Sequence, residues 1–390
     1  MPDHAPPFRR DGPTWFLYLV LAVFGFQQSV LGSTLPFLRG EFRYDPIQVG
    51  WHFSCYAAGL VASGLFGGWL LSRLRLGPLL RGSAIAMVLA VLSITQARGF
   101  AGTLAAAAAM GLTGGVLQSA VQAGLAWHQA EHRDIALVEA FIFAGAGVLS
   151  GPLLVGQLAT LGLPWRATLL AAALALALVM LLPPPEARPA RQSRRDGAAS
   201  RDGVPLAVAI CWASVLLGIG AEWGIGFWGA QFLEGRLGLG PAPAVSLMSV
   251  FFGGTVFGRV VSSRLLAKFD GRAMLLAATL LGSGAIFTLW ASSVPAVTIA
   301  ALALAGMCLG NFFPLLISNA VRLEPGYVQL ISVGATQAVG ISLLAIPIVL
   351  GYIGQVAGLI NAIGMLAILP LLMAAACLAA GYRHALPHKA

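Results

Sequence analysis

Residues 205–233 read PLAVAICWASVLLGIGAEWGIGFWGAQFL, a stretch whose single charged side chain is Glu222. A helix crossing ~30 Å of hydrocarbon needs about 20 apolar residues, so this stretch is long enough to span a bilayer. The rest of the chain agrees with it. Of 390 residues, 58% are hydrophobic and 9% charged, and the mean hydropathy is +0.85. A soluble domain carries roughly 25% charged residues, so too little polar surface is present here to cover a water-soluble body of this size. The expectation is an integral membrane protein. Forty-eight glycines, with little apolar/polar alternation, favour packed helices over an outer-membrane barrel. A soluble enzyme, a secreted disulfide scaffold and a nucleic-acid binder are set aside. Cys55, Cys211, Cys308 and Cys377 lie far apart in apolar stretches without a C-x-x-C pair, and read as small core residues rather than disulfides or metal ligands.

Cutting the chain at charged or Pro/Gly-rich breaks gives twelve stretches of spanning length: 14–38, 47–70, 79–98, 101–126, 134–158, 163–182, 205–233, 242–264, 272–292, 296–320, 327–354 and 358–382. Arg9 and Arg10 precede the first. Its length of about 25 apolar residues, without a small-x-small cleavage site, marks it as a retained helix and not a signal peptide.

With the N-terminus placed inside, seventeen Lys and Arg residues fall in inner segments, among them Arg73, Arg75, Arg133 and Arg264. Five fall outside, Arg39, Arg43, Arg98, Arg166 and Arg236, and Arg259 lies within a stretch. Positive residues collect on the cytoplasmic side, so both termini are expected there, in a cell inner membrane. The net charge of +9 is then mostly a topology signal. The Pro/Arg-rich segment 183–204 reads as a cytoplasmic tether between two six-helix halves, 1–182 and 205–390.

Sliding one half over the other by 195 residues aligns Gly25 with Gly220, Gly59 with Gly254, Gly111 with Gly306, and Pro152 with Pro347. Phe37-Leu38-x-Gly40 likewise meets Phe232-Leu233-x-Gly235. The matches fall at equal depth in equivalent stretches. Six crossings leave the second half in the orientation of the first, so this is a parallel repeat about an axis along the membrane normal. Transporters built this way hold substrate near the midplane and rock one half on the other.

Twelve stretches in two halves with a long basic middle loop resemble the major facilitator superfamily over nearly the whole chain. Its loop signature after helix 2, G-x-L-A-D-R-x-G-R-R, is approached by Gly68-Trp69-Leu70-Leu71-Ser72-Arg73-Leu74-Arg75-Leu76-Gly77, with Ser72 at the acidic position. Gly258-Arg259 and Lys268-Phe269-Asp270-Gly271-Arg272 repeat it imperfectly. Gly220-Ala221-Glu222-Trp223-Gly224-Ile225-Gly226-Phe227-Trp228 is similar to helix 7 of fucose-permease-like proteins, which implies proton symport of a small polar solute such as a sugar. Gly147-x-x-x-Gly151-Pro152-x-x-x-Gly156 in helix 5 is similar to a motif of proton-coupled drug antiporters and implies the alternative, efflux of lipophilic compounds.

Polar side chains in lipid are costly, so their placement carries function. Only Glu139 and Glu222 are carboxylates well inside stretches. Glu222 is mid-helix among glycines. Burial there penalises the charged form and couples protonation to occupancy, which a proton-coupled carrier requires; a packing hydrogen bond is the structural alternative. Glu139 in helix 5 and Arg259 in helix 8 fall in the cytoplasmic thirds of helices that meet between the halves in the resembled fold, which makes them a candidate inner-gate pair. Separate local partners are the alternative. Gln27 and Gln28 in helix 1, Gln118 and Gln122 one turn apart on helix 4, Trp223 and Phe227 on one face of helix 7, Asn311 and Phe312 in helix 10 and Gln337 in helix 11 form the candidate substrate-binding set. Amides with aromatic planes suit a hydroxylated solute or an amphipathic drug equally, and interhelical hydrogen bonding is the plainer use of any one amide.

His128-x-x-Glu131-His132 spells an inverted zinc-protease motif in a short loop without a third ligand, and metal chemistry is not expected. No nucleotide-binding loop occurs, so ATP is not the energy source. No nucleophile–base constellation points to an enzyme, and no cofactor is implied. The expected partners are a small-molecule substrate, protons and the lipid bilayer, with a monomer as the default state. A transport-inactive sensor keeping the fold is the remaining class.

Overall fold

The computed structural model of the chain describes residues 8–185, 204–266 and 268–384. The tether expected over 183–204 therefore lies mostly outside the described residues. Among these the structure is all-helical: α1 (Gly12–Phe42), α2 (Pro46–Arg73), α3 (Leu76–Gln96), α4 (Phe100–His128), α5 (Arg133–Thr160), α6 (Arg166–Val179), α7 (Leu206–Leu237), α8 (Pro241–Leu265), α9 (Gly271–Ala291), α10 (Pro295–Leu309), α11 (Phe312–Leu323), α12 (Val328–Ala357), α13 (Leu359–Met365) and α14 (Ile368–His384). Eleven segments are long and apolar enough to cross a membrane, with Pro295–Leu323 and Leu359–Leu378 each counted as one crossing.

The local chemistry explains the ends and the breaks. Asp11 caps α1 by accepting from the Thr14 amide at 3.0 Å, with Pro13 in the first turn. Asp270 caps α9 by accepting from the Arg272 amide at 3.0 Å. Gly238, at φ +65°, stops α7 in the left-handed conformation that glycine adopts without strain. The remaining expected crossing falls on α6, a shorter apolar helix of 14 residues, about 21 Å long. It is shorter than the apolar run 163–182 because Pro164 precedes it, and Leu181 and Leu182 bond back only three residues, tightening the end into a turn. The tenth stretch breaks between α10 and α11, where Asn311 donates to the Cys308 carbonyl three residues back. Pro314, with no N–H, then occupies the first turn of α11. Three-back bonds at Leu366 and Ala367, with Pro370 following, divide the last stretch in the same way.

The described residues of Met1–Arg43 with Cys55–Arg194 form one compact unit; those of Tyr44–Ser54 with Arg195–Ala390 form a second. In lipid, helices associate through close packing rather than water exclusion, and small residues at contacts let backbones approach. In the first unit a side chain at Gly59 would meet the Ala108 carbonyl, and one at Gly111 the Tyr56 carbonyl, so α2 and α4 touch backbone to backbone. In the second unit Gly254 faces the Ala303 carbonyl and Gly306 the Phe251 carbonyl, joining α8 to α10. These are the glycines that the 195-residue slide aligns.

The repeat reappears where α1 and α7 end. In the first unit Glu41 takes a bidentate grip from Arg166, 2.9 Å from Nη1 and 2.7 Å from Nη2. Arg166 Nε also donates to the Thr95 carbonyl at 3.1 Å, which ties α1, α6 and the end of α3. In the second, Arg236 stands at the position equivalent to Glu41. It donates to the Ser292 carbonyl at 2.7 Å, while the Trp290 indole donates to Asn361 at 3.0 Å. The same three helix ends are knotted by different chemistry.

Candidate functional site

Long-range side-chain hydrogen bonds in the first unit collect at the start of α1. Arg10 donates from Nε at 2.8 Å and from Nη2 at 2.6 Å to the two oxygens of Glu139 on α5, and the Tyr18 hydroxyl adds a third bond at 3.1 Å. Beside them His128 Nε2 lies 2.6 Å from Asp11, and Gln129 donates to the Arg9 carbonyl at 3.0 Å and to Thr14 Oγ1 at 2.8 Å. Burial pushes the Asp11 carboxyl upward, but hydrogen bonds from Thr14 and His128 outweigh it and hold the group below the usual carboxylate range. The first histidine of the H-x-x-E-H string, the last residue of α4, thus serves as a tether for the chain entering α1.

The glutamines behave differently. Gln27, Gln28, Gln118, Gln122 and Gln337 have no hydrogen-bond partner among the described residues. Gln27 is fully buried, with both amide atoms unsatisfied. Gln28, Gln118 and Gln122 are half-buried and Gln337 is exposed. Leaving a buried polar group unpaired costs about 1–3 kcal/mol, a penalty that packing alone does not justify.

In the second unit Glu222 sits midway along α7, surrounded by protein while keeping part of its surface open. Its carboxylate has no hydrogen bond among the described residues; the cation whose charge acts on it is Arg259 on α8. Arg259 is exposed, and its Nε donates to the Gly310 carbonyl at 3.3 Å, at the break between α10 and α11. Next along α7, Trp223 packs against Phe227 with ring centroids 5.1 Å apart. Phe53, from the first turns of α2, stacks on Phe227 at 4.3 Å and meets Trp228 edge-on at 6.0 Å. The Trp228 indole nitrogen is buried without an acceptor. Neither this stack nor the orphaned indole was visible in the sequence, where Phe53 stands in an unremarkable apolar run.

Two of the expected contact residues lie buried in the packing of the second unit. Phe312 is fully buried, and its ring faces Gly218 of α7 and Gly282 of α9. Asn311 is buried and donates to the Met307 carbonyl at 2.6 Å, stabilising the break. Glu139 and Arg259 each have a partner within their own unit. At the start of α9, Asp270 is held below the usual carboxylate range by the Arg272 amide and then by Arg322, whose Nη1 lies 2.6 Å away.

A family model described as the Major Facilitator Superfamily matches residues 17–327. No curated protein matches the chain. Among solved structures, a bacterial homolog of the human lysosomal transporter Spinster, inward-facing and occupied, superposes with a TM-score of 0.78 at 12% identity, covering 97% of this chain and 98% of that one. A point variant of the nucleoside transporter NupG gives a TM-score of 0.78 at 14% identity over 95% and 99%. A point variant of the peptide transporter POT gives 0.75 at 14% over 95% and 94%. At these identities the likeness is one of fold.

Proposed function

The chain belongs to the major facilitator superfamily, and from that premise we propose that it is a secondary carrier for a small polar organic solute, moved by alternating access together with a proton. The observation that carries this reading is the set of unpartnered amides. Five glutamines on α1, α4 and α12 keep side-chain donor and acceptor atoms that no described residue engages. Amides that both donate and accept match a hydroxylated or amide-bearing solute, and the resemblance of 220–228 to fucose-permease-like proteins favours a sugar.

Glu222 is the proton-coupling group in this reading. It is the carboxylate at the middle of α7, it has no side-chain hydrogen bond among the described residues, and the charge that acts on it is that of Arg259. Taking up a proton removes a charge from low-dielectric surroundings. Arg259 then becomes available to another acid, and we assign that role to Glu139 once it has left Arg10, making Glu139 and Arg259 the gate residues. The protein is placed in a cell inner membrane with both termini cytoplasmic, as its arginine distribution favours.

A second reading draws on the Phe53–Phe227–Trp223 stack and the glycine–proline motif of α5. These suit a lipophilic cation, exchanged for a proton moving the other way. Proteoliposomes with a trapped pH dye separate the two. Acidification of the lumen on adding a sugar outside supports symport. Proton movement opposite to an added lipophilic cation makes the antiport reading the better one.

A further inference from the structure

Apart from the amides and Glu222, the second unit holds a largely apolar cavity of about 210 Å³ with charged side chains in its lining. It is lined by Cys211 of α7, Cys377 of α14, Asp270 and Arg272 at the start of α9, and Asn319 and Arg322 of α11. Arg322 is engaged with Asp270, and Asn319 donates to the Gly271 carbonyl at 3.3 Å. The Arg272 guanidinium, which lines the same cavity as Cys377, has no hydrogen bond among the described residues.

The two thiols are neighbours. Ser214 lies three residues after Cys211 and so on the same face of α7; its hydroxyl is 3.5 Å from Cys377 Sγ. Cys377 therefore rests against the turn of α7 that carries Cys211, and the two cysteines line one cavity. Their accessibility differs: Cys377 is half-buried, whereas Cys211 is buried, with its thiol directed to the Leu316 carbonyl at 3.8 Å. A half-buried sulfur in a cavity that also presents an unengaged arginine and a second cysteine is the setting for an attacking and a resolving thiol.

We propose that Cys211 and Cys377 form a modification site at which a small anionic disulfide, drawn in by Arg272, is reduced while the two thiols become an intramolecular disulfide. In the first step Cys377, as thiolate, attacks one sulfur of the reagent. The protein–reagent S–S bond forms, the reagent's own S–S bond breaks, and one thiolate leaves to take the proton that Cys377 lost. In the second step Cys211 gives up its proton and attacks the Cys377 sulfur, expelling the other half of the reagent as a thiol. Two electrons pass from the cysteines to the reagent, and two protons follow them. The bond ties α7 to α14.

The test treats the full chain, in detergent and in liposomes, with glutathione disulfide, then denatures it and counts free thiols by maleimide labelling, with mass mapping of linked peptides. Loss of two thiols together and recovery of a Cys211–Cys377 peptide are expected, fully reversed by a reductant. Cys211→Ser should stop at a glutathione adduct on Cys377, and Cys377→Ser should leave Cys211 unmodified. Arg272→Gln should slow the reaction with glutathione disulfide by roughly tenfold and leave that with an uncharged disulfide unchanged. A variant with both Cys55→Ser and Cys308→Ser should still form the link. Adducts without a linked peptide in the wild type, or thiol loss confined to Cys55 and Cys308, would overturn the proposal.

Discussion

Arg10 holds Glu139 across 129 residues of sequence through both of its carboxylate oxygens. The acid on α5 is thus neutralised by a residue that precedes the first helix. An exposed pair of this kind contributes little to stability, but it determines what Glu139 can pair with. If Glu139 passes to Arg259 during the cycle, Glu139→Arg and Arg259→Glu should each lose most solute-driven proton movement. The double reversal should restore a measurable part. A double variant no better than the singles removes both residues from the gate.

Glu222→Gln keeps the shape of the side chain and removes its proton exchange. The variant should fold with an unchanged melting temperature and bind solute, yet show no solute-driven pH change in proteoliposomes. Undiminished proton movement would free Glu222 of the coupling role.

Gln27 offers a trade between stability and function. Replacing it with leucine removes two unsatisfied buried polar atoms, so Gln27→Leu should stabilise the folded state by about 1–3 kcal/mol while lowering transport sharply. A destabilised variant would mean that the amide is satisfied in the membrane-embedded protein and serves packing.

The helix contacts that carry the repeat tolerate no added bulk. Gly306→Leu drives a side chain into the Phe251 carbonyl on α8, whereas Gly284→Ala places a methyl where nothing lies within 4 Å. The first should cost at least about 1–3 kcal/mol and reduce the yield of folded protein in a thermal aggregation assay. The second should behave as wild type.

Asp270 sets a pH dependence. Its folded-state acidity is strengthened first by the Arg272 amide and then by Arg322, so its folded pKa lies below the unfolded value. The stabilisation is complete above the ordinary aspartate pKa of about 3.9 and is lost as pH falls through the lower folded value. Hydrogen exchange at the first turn of α9 should rise on acidification below that range. In Asp270→Asn it should be raised already at neutral pH and change little with acid.

The helical architecture was readable because hydrocarbon imposes a length on every apolar run, and the repeat because close backbone approach demands glycine at fixed places such as Gly59 and Gly254. The breaks were less legible. Asn311 and Pro314 look like cavity polarity and a kink, and only the three-back bonding at Asn311 reveals two helices. The tether of Arg10 and Asp11 to α5 and His128 had no signature, because periodicity reports which face of a helix is apolar and says nothing of a strap folding across it. Phe312 was ambiguous for a related reason: a ring beside an asparagine suits a binding wall and a core equally, and only the structure shows it buried against Gly218 and Gly282.

The grouping of Tyr44–Ser54 with the second unit has a consequence for synthesis. The Ser54 hydroxyl donates at 2.6 Å to the carbonyl of Leu344, 290 residues later, and Phe53 waits for Phe227. At roughly 5–20 residues per second, the ribosome delivers Leu344 about 15–60 s after Ser54. Over that interval the beginning of α2 must be sheltered by lipid, insertase or chaperone. A first half released by premature termination would carry this unfinished edge permanently, a mark by which quality control could recognise it.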